Sequence, residues 1–209
     1  DGVLIHEPVY YPFGNSIRTQ KRQVISSPLV LRDGRYEIDF ADFERKAADP
    51  MCRAFVLSNP HNPVGRVYTR EELQRMGDIC LKHNVFVIAD EIHSDLIFPG
   101  HHHTVFASLG EAYAKNCAVC HAPSKTFNLA GLSFSCIMIP DEMHRQRFDA
   151  MFNRYCRANP TFFAPVAAKA AWEHGEEWLK ECLAYIQGNE AFVRSFAEKT
   201  WGGKVWIAP

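Results

Sequence analysis

The chain has 209 residues, 47% apolar and 22% charged, ordinary values for a globular protein large enough to bury one substantial core, with two small domains also possible. Lys plus Arg number 23 against 24 for Asp plus Glu, and no basic block interrupts the balance, so neither nucleic acid nor an anionic membrane is expected as the main partner. No apolar run approaches the roughly 20 residues that cross a bilayer, no signal peptide precedes Asp1, and seven cysteines, an odd number, fit a reducing cytoplasmic setting.

Short apolar runs alternate with longer amphipathic ones. Strands are predicted at 3–6, 23–31, 54–58, 85–89, 117–121 and 134–139. Helices are predicted at 12–19, 40–48, 70–82, 143–157 and 165–174, followed by a long one over 176–199. Thr69-Arg70-Glu71-Glu72 is a capping-box pattern, and Asp39 and Asp141 stand where helix N-caps belong. The strands near Ala54 and Val85 read as continuous apolar runs, which favours a sheet covered by helices on both faces. The fold class expected is α/β, a mostly parallel sheet flanked by helices. The chain lacks an initiator Met, opens on an apolar run, and stops after Lys204-Val205-Trp206-Ile207, which reads as the start of another strand. It is therefore expected to be a fragment, incomplete at both ends. Cys80, Cys117, Cys120, Cys136 and Cys182 lie in apolar stretches and read as buried core residues. Cys117 and Cys120 have redox-motif spacing, but in a strand their thiols point to opposite faces.

In an open parallel sheet, ligands collect at the carboxyl ends of the strands. Three segments fall there: Asn59-Pro60-His61-Asn62-Pro63-Val64-Gly65-Arg66, Ala89-Asp90-Glu91-Ile92-His93-Ser94-Asp95, and Ser124-Lys125-Thr126-Phe127-Asn128-Leu129-Ala130-Gly131-Leu132. Lys125, on a small-residue turn at the sheet rim, can lose enough solvation to act as an amine nucleophile and form Schiff bases. Asp90 closes an apolar strand, where burial opposes ionisation unless a cation such as a protonated pyridine nitrogen lies close. A strand-end or N-cap aspartate is the alternative. Asn62 sits in a proline-stiffened loop where its amide can donate to a ligand or serve the turn. His93 is near enough to Asp90 to share its ligand or to be structural. Tyr10 follows the first strand and can stack on a planar group or pack in the core. The triplet His101-His102-His103 lies in a loop without metal-ligand spacing, and no metal is expected. No G-x-G-x-x-G follows a strand, which disfavours a dinucleotide-binding domain.

The three segments, in this order and approximate spacing, resemble the fold-type I pyridoxal phosphate enzymes of the class I/II aminotransferase superfamily. The likeness is greatest to the aminotransferase-like cystathionine β-lyases, the MalY/PatB type of C–S lyase. The resemblance implies Lys125 as the Schiff-base lysine and proton shuttle. It implies Asp90 as partner of the pyridine nitrogen, Asn62 as contact of the ring hydroxyl, Tyr10 as the stacking ring and Ser124 as a neighbour of the phosphate. His93 stands where many aminotransferases of this fold carry tyrosine, which points to the lyase branch. Ala122 and Ser133 replace a serine and an arginine common in relatives. The family's glycine-rich phosphate turn is expected before Asp1 and its substrate-carboxylate arginine after Pro209. Residues 1–175 then correspond to the cofactor-binding large domain, and 176–209 to a connecting helix and the start of a small domain. The implied activity is β-elimination of a thiol from cystathionine or a related cysteine S-conjugate, giving pyruvate and ammonia, in a homodimer. The alternatives are an aminotransferase built on the same residues, or a catalytically silent fragment of such an enzyme.

Overall fold

A computed structural model describes residues 1–155 and 161–208. The chain order is β1 (Gly2–Glu7), α1 (Pro12–Thr19), β2 (Gln23–Arg32), β3 (Arg35–Ile38), α2 (Phe40–Ala47), β4 (Cys52–Ser58), α3 (Arg70–Lys82) and β5 (Phe86–Asp90). It continues with α4 (Glu111–Lys115), β6 (Cys117–His121), α5 (Pro123–Thr126), β7 (Cys136–Met138), α6 (Glu142–Tyr155), α7 (Phe163–His174) and α8 (Glu176–Trp201). The seven strands form one sheet in the order β3-β2-β1-β4-β5-β6-β7. β1, β2, β4, β5 and β6 are parallel, while β3 and β7 run antiparallel at the two edges.

Local chemistry accounts for the main boundaries. Asp39 begins α2 by accepting from the amides of Ala41 and Asp42, each at 3.1 Å. Thr69 and Glu72 close the predicted capping box at α3, with Glu72 N to Thr69 Oγ1 at 3.2 Å and Thr69 N to Glu72 Oε2 at 2.8 Å. Asp141 accepts from His144 N at 2.9 Å, opening α6. Leu4, Phe55, Leu57, Val87 and Ala89 are buried, and Phe43, Leu73 and Met76 pack against that face from α2 and α3. Burial of side chains of this size stabilises by roughly 1.5–3 kcal/mol each, so this layer holds the strand ends in place.

Several details depart from the sequence expectation. β3 was not expected, although Asp33 and Gly34, at φ 48° and 75°, form the left-handed two-residue turn that an Asp-Gly pair favours between antiparallel strands. Continuous apolar strands predicted cover on both faces, yet Ala54, Val56, Phe86 and Ile88 are only half-buried. The alternation in burial shows that α2 and α3 seal one face more completely than the other. Residues 204–207 form no strand; Trp206 lies against Tyr36 instead, with ring centroids 5.9 Å apart. Arg194 of α8 donates to the carbonyls of Ile207 and Ala208, which occupies backbone acceptors that a ladder would use. Cys120, Cys136 and Cys182 are half-exposed rather than core, because they lie at a strand end, on an edge strand and on a loosely covered helix. The end of the predicted 143–157 helix, at 156–157, lies outside the described residues. No described helix is long and apolar enough to cross a membrane.

α6, α7 and α8 leave many apolar side chains in the open, among them Met151, Phe163, Tyr185 and Phe192. Gly175, between α7 and α8, permits a close approach there. A Cβ on it would stand 2.4 Å from the Phe127 ring and 2.3 Å from the Ala171 carbonyl oxygen. That contact backs the segment following α5.

Candidate active site

The strand order reverses direction at β1. The chain leaves β1 for β2 on one side and later returns for β4 on the other, and such a switch opens a crevice outside the carboxyl ends of the flanking strands. Tyr10 follows β1, Asn62 follows β4, Asp90 ends β5 and Lys125 follows β6. These four strands are consecutive neighbours, spaced about 4.8 Å apart as in any sheet. Four separate stretches of sequence thus reach one rim.

Asp90, His93 and Lys125 lie within electrostatic range of one another. Burial raises the Asp90 carboxyl above the usual carboxylate range. The Ile92 amide, which donates to Oδ1 at 3.2 Å, and the charges of His93 and Lys125 oppose the rise, while Glu91 adds to it. Burial also lowers the His93 imidazole; Asp90 pulls it back up and Lys125 pushes it further down. His93 is therefore biased toward its neutral form. Cys120, the register partner of Asp90 on β6, has its thiol pushed up to about 11 by burial and by the Asp90 and Glu91 charges, so it stays protonated and does not compete as a nucleophile.

Lys125 lies on α5 rather than on a plain turn, and its side chain is exposed. The desolvation expected from its rim position is not supplied by this chain's own packing, because Thr126 takes the inward-facing place on α5. Asn62 is half-buried, with its backbone amide donating to Ser58 Oγ at 3.3 Å. Tyr10 is 44% exposed, edge-on to Phe13 at 5.7 Å, so core packing does not claim it. Ser124 is half-buried beside Lys125, Ala122 is buried, and Ser133 is exposed in a left-handed conformation at φ 51°. Among the described residues, no side-chain hydrogen bond joins Tyr10, Asn62 or Ser124 to the Asp90, His93 and Lys125 group.

Buried polar residues that the sequence reading left without a role tie these strand ends together. Asn59 is buried; its N–H donates to the Asp90 carbonyl at 2.9 Å and its Oδ1 accepts from Tyr68 N at 3.1 Å. Its Nδ2 donates to His103 Nδ1 at 3.4 Å, and His103 Nε2 donates to Glu91 Oε2 at 3.0 Å. Glu91 also accepts from Phe106 N at 2.8 Å. The third histidine of the triplet therefore turns inward as a structural residue, and no cluster able to hold a metal occurs among the described residues. Arg66, 8% exposed, donates to Glu72 and to the Tyr36 carbonyl at 2.6 Å, fastening the Asn62 loop to α3 and β3. A polar residue inside a proline-rich or strand-end motif was the only sequence signal for these ties.

The family model described as aminotransferase class I and II matches residues 1–208. The chain belongs to this family. Within it, the chain is 46% identical over 197 residues to cystathionine β-lyase PatB of Bacillus subtilis, covering 92% of this chain and 51% of that protein. It is 30% identical over 207 residues to protein MalY of Escherichia coli, covering 96% of this chain and 52% of MalY. Among solved structures, cystalysin of Treponema denticola, which contains pyridoxal 5′-phosphate, superposes with a TM-score of 0.93 at 40% identity, covering 95% of this chain and 50% of that one. The pyridoxal-phosphate-bound C–S lyase of Staphylococcus hominis gives 0.89 at 34% identity, covering 97% of this chain and 51% of that one. The chain spans about half the length of the curated relatives it matches. Family membership agrees with the fold class expected from the alternation of strands and helices.

Proposed function

We propose that this chain forms the cofactor-binding part of a pyridoxal-phosphate-dependent C–S β-lyase. Its substrate would be cystathionine or a related cysteine S-conjugate; with one water, this yields the thiol, pyruvate and ammonia. The observation that carries the reading is that Asp90, His93 and Lys125 lie within electrostatic range of one another past the neighbouring ends of β5 and β6, with Asn62 in the loop after β4. Similarity to relatives named as cystathionine β-lyases supports the same substrate class.

The residues suit the cofactor. Asp90 is a carboxyl that burial disfavours in its charged form, and a protonated pyridine nitrogen is the cation that would reverse this. Bound, pyridoxal phosphate supplies an aldehyde for amine capture and a ring that withdraws electrons. Lys125 would hold it through Nζ, and the same amine would serve as the base for the substrate's α-proton. Asp90 would keep the ring nitrogen protonated, Asn62 would donate to the ring hydroxyl, Tyr10 would cover one ring face and Ser124 would lie near the phosphate. His93, lowered mainly by burial, is biased toward its neutral form beside the lysine.

Residues 1–175 are assigned to the large domain and 176–209 to the connecting helix and the start of a small domain. The apolar side chains left open on α6–α8 suit burial against further chain or a second copy, in a cytoplasmic homodimer. The test is pyruvate release from cystathionine by the full-length protein without added 2-oxo acid. Pyruvate formation in step with thiol is expected. Strict dependence on a 2-oxo acid would replace the lyase with an aminotransferase, a reading favoured by the 36% identity of a 124-residue stretch to rat kynurenine–oxoglutarate transaminase 3. Borohydride reduction after adding cofactor, with no label on Lys125, would instead support a catalytically silent chain.

A further inference from the structure

We propose that Thr126 and Asp95 are positioning residues that hold Lys125 in fixed relation to Asp90 and His93. The inference rests on the reading of Lys125 as the cofactor-binding lysine, and it concerns how this chain aims that amine. Thr126 is 1% exposed, and its Oγ1 donates to Asp95 Oδ2 at 2.9 Å across 31 residues of sequence. One end of this bond is next to Lys125; the other closes the segment that begins at Asp90.

The acceptor lies beside an ordered imidazole. His121 Nε2 lies 3.7 Å from the same Asp95 oxygen. On its other side, His121 Nδ1 lies 3.2 Å from the Glu91 carbonyl and 3.3 Å from Ser94 Oγ. The carbonyl can only accept, so Nδ1 carries the proton. The imidazole stacks on Trp172 of α7, with centroids 5.5 Å apart and planes 18° from parallel. The segment after β5 and the helix after β6 are thus clamped between a sheet end and α7.

α5 has only four residues, too few to be rigid alone. Its one long-range side-chain hydrogen bond among the described residues is the Thr126 bond. With the amine exposed and α5 short, that bond adds to the packing of Phe127 on Gly175 in setting the direction in which Lys125 points. A misplacement of about 1 Å in a reacting group can cost on the order of a hundredfold in rate.

The test uses the full-length protein as wild type, Thr126→Val, Thr126→Ser, Asp95→Ala and the double variant Thr126→Val/Asp95→Ala. Three quantities are read: the rate at which cofactor-free protein captures pyridoxal phosphate, amide exchange over 123–129, and kcat and KM for β-elimination. Borohydride reduction and peptide mapping locate the captured cofactor. In wild type the label is expected on Lys125. In Thr126→Val, capture should slow about tenfold, exchange over 123–129 should rise about tenfold, and kcat should fall about tenfold while KM stays within about twofold. Thr126→Ser should restore all three, and the double variant should be no worse than either single one. With the label on Lys125, a Thr126→Val protein that captures cofactor at the wild-type rate overturns the proposal. So does a Thr126→Ser protein as slow as Thr126→Val, or multiplying effects in the double variant. A wild-type protein labelled elsewhere overturns the assignment of Lys125 itself, and the proposal with it.

Discussion

His61 donates from Nε2 to the Pro8 carbonyl at 2.8 Å, joining the segment after β4 to the segment after β1. Because that carbonyl can only accept, Nδ1 of the neutral ring accepts, and the Tyr68 hydroxyl donates to it at 3.1 Å. Burial lowers the His61 imidazole, in keeping with a neutral ring. The loops that carry Tyr10 and Asn62 therefore share one buried histidine.

Replacing His61 with leucine would fill much of the volume but leave the Pro8 carbonyl and the Tyr68 hydroxyl without their partner. An unpaired buried polar group costs roughly 1–3 kcal/mol, so the expected loss is about 2–4 kcal/mol. Urea unfolding of the full-length protein measures it. A loss under about 0.5 kcal/mol, the range of ordinary surface changes, would show that the histidine does not carry this junction.

Asp90 is expected to trade stability for ligand binding. Its folded pKa is raised, mainly by burial. The associated stabilisation is full below the unfolded value and is lost as pH rises through the folded value, above which the buried carboxylate detracts from the cofactor-free fold. Asp90→Asn should leave the cofactor-free protein as stable as wild type or more so, while weakening pyridoxal phosphate binding by at least about thirtyfold, the lower range for breaking a buried charge pair. Thermal melting without cofactor and a cofactor titration separate the two effects. A variant that is less stable and binds normally would contradict the assignment.

His6 makes a specific demand on pH. Burial lowers its imidazole from 6.5 to about 4, the ring being held by its Nδ1 donation to the Ser27 carbonyl at 3.0 Å and by the flanking rings of Phe43 and Phe55. A depressed folded value means that the stabilisation is present above 6.5 and is lost as pH falls toward 4. A difference of that size is worth about 3 kcal/mol. His6→Asn keeps a donor but cannot titrate, so unfolding free energies measured between those limits should fall less steeply with acid. The same slope in variant and wild type would remove His6 as the source.

The placement of the candidate site residues at one rim was legible in sequence because strand ends are marked locally. Asp90 closes an apolar run, Asn62 and Lys125 lie in the segments that follow two others, and a parallel sheet brings such positions to one edge. The Asp33-Gly34 turn was equally legible and would have revealed β3. The short helices α4 and α5 were not legible, since five and four residues show too little periodicity. Residues 204–207 misled for the reverse reason. Their apolar content suits a strand, but the carbonyls of Ile207 and Ala208 are taken by Arg194 and the Trp206 ring by Tyr36.

By itself, the sequence determined the alternation of strands and helices, the capped starts of α2, α3 and α6, and which residues stand at strand ends. All of these depend on neighbours a few positions apart. Only the tertiary structure decided that β1 lies between β2 and β4, and therefore that His61 meets Pro8 and Thr126 meets Asp95. Those pairs are 53 and 31 residues apart. They meet because burying the apolar faces of neighbouring strands sets the strand order, and strand order is a property of the packed sheet.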